Sequence, residues 1–292
     1  MSLQKGYVTH IMYRAAYLAG QWYPASESAC INAIEGHARD AQSEQGPWRG
    51  LIGPHAGWSF SGDAAGRTYP WLARSHLDAD LVVVFGSHRG PSGPNTVFVE
   101  EGWTTPLGKL QTPMEFARQI ALELRLGEEP AEPARPDNAV ELHLPFVRHY
   151  FPAAEMLMIG VAAARVAIEI GTHVGEMCKA AGRDAVFVGS TDLTHYGPNY
   201  GFEPAGSGDD AVDWVRHEND RGFIDAVLEK RIEATITHAN EHNSACCAGA
   251  VAATMAAVNA FSGSMEPQLV DHYLSFDVRP DASFVGYAGI VL

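Results

Sequence analysis

Leu51-Ile52-Gly53-Pro54-His55-Ala56-Gly57 and Val84-Phe85-Gly86-Ser87-His88-Arg89-Gly90 are two versions of one design, an apolar strand that breaks into Gly-x-His-x-Gly. A short apolar run closed by glycine reads as a buried strand of a parallel sheet. The histidine two residues beyond each break then stands just past the carboxyl end of its strand. A third run, Ala185-Val186-Phe187-Val188-Gly189, passes into Ser190-Thr191-Asp192-Leu193-Thr194-His195 and delivers a carboxylate and another imidazole after the same kind of break. Ligands of open α/β sheets collect outside the carboxyl ends of the strands, so His55, His88, Asp192 and His195 are expected in one crevice. Two imidazoles with one anionic group form open, reactive metal centres. Gly53, Gly57, Gly86 and Gly90 are expected to allow a tight turn or a close backbone approach beside each histidine.

Working outward, residues 50–53, 81–85, 155–161, 185–188, 269–276 and 284–292 read as strands. Between them, Phe116, Ile120 and Leu124 recur every four residues; Val212, Val215, Phe223 and Val227 sketch a second helix; and residues 248–261 are alanine-rich and of high helix propensity. Alternating strands and helices predict an α/β protein, a three-layer αβα arrangement around a mixed, largely parallel sheet. Loops are expected at residues 91–95, 128–137 and 198–210, and one domain is expected over residues 1–292.

Composition narrows the partners. Thirty-five acidic against 20 basic residues give a formal charge of -15, which repels phosphate backbones and argues against nucleic acid. No apolar run approaches the roughly 20 residues that span a bilayer, and no leader is visible, so no membrane association and a cytoplasmic location are expected. Cys30, Cys178, Cys246 and Cys247 show no framework spacing, which argues against structural disulfides.

Glu241-His242-Asn243-Ser244-Ala245-Cys246-Cys247-Ala248 precedes the alanine-rich helix. With Asn243 or Ser244 as N-cap, Cys246 falls in the first turn, where free N–H groups and the helix dipole favour the thiolate, the form that binds metal. Cys247 reads as a small residue packed beneath the helix. Cys246 with His242, His195 or His55 would equally make a nucleophilic pair. Glu141-Leu142-His143 puts a carboxylate and an imidazole on one side of an extended backbone, either as ligands, as groups that orient the ligands, or bonded to each other. The residues alone leave the third metal ligand open between Asp192 and Cys246.

Six pieces in order, Arg14-Ala15-Ala16 with Ala19-Gly20-Gln21-Trp22-Tyr23, Pro54-His55-Ala56-Gly57-Trp58, Gly86-Ser87-His88, Glu141-Leu142-His143-Leu144-Pro145-Phe146, Ser190-Thr191-Asp192-Leu193-Thr194-His195-Tyr196 and Ser283-Phe284-Val285-Gly286-Tyr287-Ala288, resemble the MEMO family. The resemblance implies an αβα domain related to the class III extradiol dioxygenases, which use non-haem iron(II). It also implies a site of His55, His88 and Cys246 as metal ligands with Asp192 and His195 as nearby acid–base groups; Glu141, His143 and His242 are read from their places in the sequence as candidate groups around it. A thiolate in place of the dioxygenase carboxylate favours iron(II), with copper as the alternative and zinc as a substitute. The chain departs from the family pattern at Asp137-Asn138-Ala139, where relatives read Glu-His-Ser, and at Cys247, where a glycine usually follows the cysteine.

Two functions are therefore expected of the crevice. One is a dioxygenase-like, metal-dependent oxidoreductase acting on a small molecule. The other is a non-catalytic scaffold or signalling protein that holds a peptide there. Metal-assisted hydrolysis is a third. The oligomeric state is not legible.

Overall fold

In the computed structural model, which describes residues 13–129 and 137–292, the apolar runs form strands and the segments between them fold back as helices. The first half contains β1 (Tyr13–Arg14), α1 (Glu27–His37), β2 (Gly50–Gly53), α2 (Trp58–Ser75), β3 (Leu81–Gly86), β4 (Thr96–Phe98), β5 (Gly102–Thr105), β6 (Gly108–Gln111), α3 (Met114–Leu124), β7 (Gly127–Glu129), α4 (Asn138–Glu141) and α5 (Leu144–Tyr150). The second contains β8 (Glu155–Gly160), α6 (Val166–Ala180), β9 (Ala185–Ser190), β10 (His195–Tyr196), α7 (Asp209–Trp214), α8 (Asp220–Leu228), α9 (Ile232–His242), α10 (Ala248–Ser262), β11 (Gln268–Leu274), α11 (Ser275–Val278) and β12 (Phe284–Val291). A π-helical turn, Val215–Asn219, joins α7 to α8.

The sheet is parallel at its centre, in the order β2, β9, β3, β8. Antiparallel β12 and β4 flank this centre, and β11, β10 and β7 extend the margins. β1, β5 and β6 form a separate small sheet.

Period-two alternation sorts the central strands between two cores. Leu81, Val83, Phe85, Leu157, Ile159 and Phe187 pack with residues of α3, α6, α8 and α10. Val82, Val84, Met156, Met158, Val186 and Val188 pack with residues of α1, α2 and α5. Helices therefore cover both faces, as the alternating pattern predicts for three αβα layers.

Two close helix contacts rest on glycine. Gly171 and Gly175 of α6 meet the backbone of Ala253 and Ala257 in α10, and any β-carbon on either glycine would run into a carbonyl oxygen. Gly62 and Gly66 of α2 similarly admit His37 at the end of α1. Gly62, Gly66 and Pro70 hide α2 from a propensity reading, although the segment forms one 18-residue helix.

Three local expectations are corrected. Residues 127–129 form a strand rather than the start of a loop, while residues 130–136 lie outside the described residues. Asp209 and Asp210, read as loop, open α7. Glu141-Leu142-His143 is helical, not extended: Asp137 caps α4 through its side chain to Ala139 N, and α5 starts directly after His143. Among the described residues no helix is long and apolar enough to cross a membrane.

Candidate metal centre

Strand order explains the convergence of the two histidine loops. β9 lies between β2 and β3, so His55 and His88, two residues past the ends of β2 and β3, lean toward each other over the segment that follows Ser190. Their Nε2 atoms stand 3.1 Å apart, and Cys246 Sγ lies 3.3 Å from His55 Nε2. The donor atoms of His55, His88, Cys246 and Cys247 all lie within 4.8 Å of one another. Metal–nitrogen bonds of about 2.0–2.1 Å and metal–sulfur bonds of about 2.3 Å place neighbouring ligands roughly 3.3–3.8 Å apart. The donors present therefore fit an ion held between them, and their nitrogen and sulfur chemistry suits a transition metal.

The glycines beside the histidines act through close approach. None of Gly53, Gly57, Gly86 and Gly90 has a positive φ; the left-handed residue in these loops is Ser87, at φ 72°. Gly53 leaves room for the His143 ring, and Gly86 for Val140 and the Ala139 carbonyl.

His55 is completely buried and bonded on every side. Its backbone N–H donates to Asp192 Oδ1 (2.7 Å), its carbonyl accepts from Asn138 Nδ2 (3.2 Å), and its Nδ1 pairs with Ser190 Oγ (2.7 Å). Ser190 Oγ in turn meets His143 Nε2 at 3.0 Å, and His143 Nδ1 meets the Tyr69 hydroxyl at 3.0 Å. Burial opposes charge on His55, but the Asp192 carboxylate and the Cys246 sulfur prevail and lift its pKa to about 9. Burial and the neighbouring His55 push His143 down to about 3. A charged His55 donates at both nitrogens, so Ser190 accepts from His55 and donates to the neutral His143. The same Nδ1–H donation leaves Nε2 free to take an ion in place of its proton.

Cys246 does not sit in a helical first turn. Asn243 adopts the left-handed conformation that ends α9, Cys247 is the N-cap of α10, and the helix starts at Ala248. The thiolate is favoured by other means. Burial works against it, but a hydrogen bond from the Cys247 thiol and the charge of His55 hold Cys246 well below the usual thiol range. The Asp192 N–H also points to Cys246 Sγ at 3.3 Å, while Cys246 N donates to the Asp192 carbonyl at 3.1 Å. Cys247, beside the Cys246 sulfur and buried, is pushed well above the thiol range. It packs into the core, as read from sequence, yet its thiol also borders the cluster, with the Ser87 carbonyl 3.4 Å from its Sγ. Burial, followed by the opposing pull of His55 and the push of Cys246, leaves Asp192 raised above the ordinary carboxylate range.

A cavity of about 560 Å³ opens onto this cluster, with His88, Asp192, His195 and Asn138 in its lining. His195 Nδ1 lies 3.1 Å from the Leu193 carbonyl, and its ring stands edge-on to Tyr200 at 4.9 Å. Donation to that carbonyl leaves Nε2 as the acceptor. Asn138 occupies the position where the family resemblance expected a histidine, and binds the His55 carbonyl. Trp22 and Tyr23 part company: Trp22 lines the cavity, whereas buried Tyr23 donates to Glu141 Oε1 at 2.9 Å.

Two of the residues singled out from sequence lie apart from the cluster in their bonding. Glu141 accepts from Leu18 N and Tyr23 and anchors the first described segment. His242 is half exposed, with its ring against His238. Ser190, Tyr69 and Asp220 were not legible as site residues. Asp220, placed by the π-helical turn, accepts from Thr194 N at 3.1 Å and pairs with His272 at 3.1 Å, fixing the residue before His195. A hydroxyl directly after the β9 glycine was the available signal for Ser190.

The Memo-like protein family matches residues 14–291. A MEMO1 family protein of Pyrococcus abyssi is 29% identical over 292 residues, covering 96% of this chain and 99% of the relative. One from Methanopyrus kandleri is 30% identical over 297 residues, with the same shares covered. A solved structure of an uncharacterized protein from Escherichia coli K12 gives a TM-score of 0.48 at 12% identity, covering 83% of this chain and 98% of that one. With a match running from Arg14 to the last strand, the chain belongs to the Memo-like protein family.

Proposed function

We propose that His55, His88 and Cys246 bind a redox-active transition metal, iron(II) with copper as the alternative, and that the chain is a dioxygenase-like oxidoreductase acting on a small molecule in the adjoining cavity. The observation that carries this reading is the convergence of two imidazoles and a favoured thiolate at a cavity wall that also holds an acid–base pair. When bound, such a metal supplies electron transfer to dioxygen, which no side chain here provides. Zinc fits the same donors but has no redox role.

The protein's own contribution is position and protons. Ser190 and His143 hold the His55 ring with Nε2 forward. Asp192 accepts the His55 backbone N–H and lies in the cavity wall, with burial raising its carboxyl above the ordinary carboxylate range. His195 accepts a proton at Nε2 from a group in the cavity, with the Leu193 carbonyl steadying Nδ1 and Tyr200 the ring.

Anaerobic loading with iron(II) and with copper, followed by metal analysis of wild type, His55→Ala and His88→Ala, tests the ligands. Wild type is expected to retain about one ion and both variants far less. Equal retention in all three overturns the site. Oxygen uptake by the loaded protein against catechols and thiols then tests the reaction. Silence across the panel, with tight peptide binding instead, identifies a binding protein using the same crevice.

A further inference from the structure

Arg279 is the one arginine or lysine among the cavity-lining residues, and it has no carboxylate partner among the described residues. Several other arginines of the chain also lack a carboxylate partner among the described residues, so what sets Arg279 apart is its place in the cavity wall. The two acids nearest to it in sequence are engaged elsewhere. Asp277 takes Arg216 at 2.7 Å and the Leu274 N–H at 2.9 Å, and Asp281 Oδ1 accepts the Ser283 N–H at 3.3 Å. The Arg279 backbone N–H is tied to the Ser275 carbonyl at 2.9 Å, and the guanidinium stands 5.1 Å over the Phe60 ring. The fork is thus held over an aromatic face at the cavity wall with its donors unspent.

We infer that Arg279 binds an oxyanion of the ligand, and that the cavity takes a small monocarboxylate with a flat apolar body. This rests on the reading of the cavity as the ligand site. The planar fork suits bidentate recognition of a carboxylate. Charge selects a monoanion: Asp192 and Asp281 share the lining with a single arginine, and the charge of His55 is already matched by Asp192 and the Cys246 sulfur, so a dianionic phosphate would meet only one unmatched cation. The flat body follows from Trp22, Phe60, Tyr200 and Tyr287, which supply aromatic surface in the same lining. A cavity of about 560 Å³ has room for such a molecule. A ligand anchored at Arg279 shares that space with His88, Asp192 and His195.

The test titrates the metal-free full-length chain with benzoate, its uncharged counterpart benzamide, and phenyl phosphate, in wild type, Arg279→Gln, Arg279→Lys and His55→Ala. Arg279 is exposed, so its replacement leaves the core intact. Benzoate is expected to bind wild type at least about tenfold more tightly than benzamide or phenyl phosphate. Arg279→Gln should weaken benzoate by about 10- to 100-fold, the range of a charge-assisted hydrogen bond, and leave benzamide unchanged. Arg279→Lys should fall between. Absence of benzoate binding, equal binding of benzoate and benzamide, tighter binding of phenyl phosphate, or an unaltered Arg279→Gln each overturns the proposal. Metal content separates this outcome from the metal reading. Arg279→Gln should load metal like wild type, and His55→Ala should lose metal while keeping its preference for benzoate over benzamide. Metal loss in His55→Ala with no benzoate preference anywhere would leave the metal centre standing and remove the anion site.

Discussion

The two Gly-x-His-x-Gly loops have near-identical sequences and opposite environments. His55 is completely buried, bonded through both ring nitrogens, its N–H and its carbonyl, and backed by Ser190, His143 and Tyr69. His88 is exposed and faces the cavity, and its ring is bonded to His55. The repeat reproduces where the chain turns but not what surrounds the ring, because Ser190, His143 and Asp192 close around His55 while His88 lies in the lining of the cavity. One imidazole is a fixed part of the core and the other is part of the cavity wall.

The strongest way to break that contrast is to remove each ring in turn. His55→Ala strands the Cys246 thiolate and Asp192 without their buried cationic partner. A loss of about 3–5 kcal/mol is expected from urea unfolding of the metal-free protein, as for breaking a buried ion pair. A stability equal to wild type would show that His55 is not locked.

Acid should come next, acting through the partner of the locked ring. His143 is neutral in the fold, with its pKa near 3 against 6.5 when unfolded. Its contribution is complete above pH 6.5 and is lost as pH falls toward 3, because the unfolded chain takes up the proton first. Urea titrations between pH 7 and 4 should show a fall in stability that is shallower in His143→Phe than in wild type. Parallel slopes would deny His143 this role.

Ser190→Ala removes the hydroxyl shared by the two buried rings. It is expected to cost about 1–3 kcal/mol and to weaken metal binding about 10- to 100-fold, as loss of a ligand-orienting bond does. Competitive chelator titration measures the second effect, which simple loosening of the core would not produce at constant fold. The smallest stability change belongs to His88→Ala, expected within about 0.5 kcal/mol of wild type, as for an exposed position, while metal retention collapses. A large destabilisation there would make the two loops equivalent after all.

The same contrast marks what the sequence discloses. Strands β2, β3, β8 and β9 are legible because each is a short apolar run closed by glycine or a polar turn, and they alone fix which histidines meet. The environment is less legible. Ser190 belongs to β9 and looks like the end of a strand; only the strand order, with β9 between β2 and β3, gives it two imidazoles to bridge. Glu141 and His143 fall on one side of the chain when it is read as extended, but the Asp137 cap coils the segment and sends them to different partners. The Asn243 side chain invites an N-cap reading, whereas its left-handed backbone ends α9 and moves the start of α10 past Cys246. Helix α2 is hidden because the space above Gly62 and Gly66 belongs to α1, which is information held by another part of the chain.

The glycine seam between α6 and α10 has a consequence for the metal centre. Both imidazoles ride on the sheet, whereas the sulfur sits immediately before α10, whose height is set by Gly171 and Gly175 against Ala253 and Ala257 and by Gly249 against Ala162. The cluster is therefore assembled from two parts, the sheet and the segment before α10, which the Cys246 N–H to the Asp192 carbonyl and the Cys247 N–H to the Thr191 hydroxyl tie together. A larger residue along the seam would push α10 away from α6 and load those two bonds, so the packing of two helices bears on the site without altering a single donor.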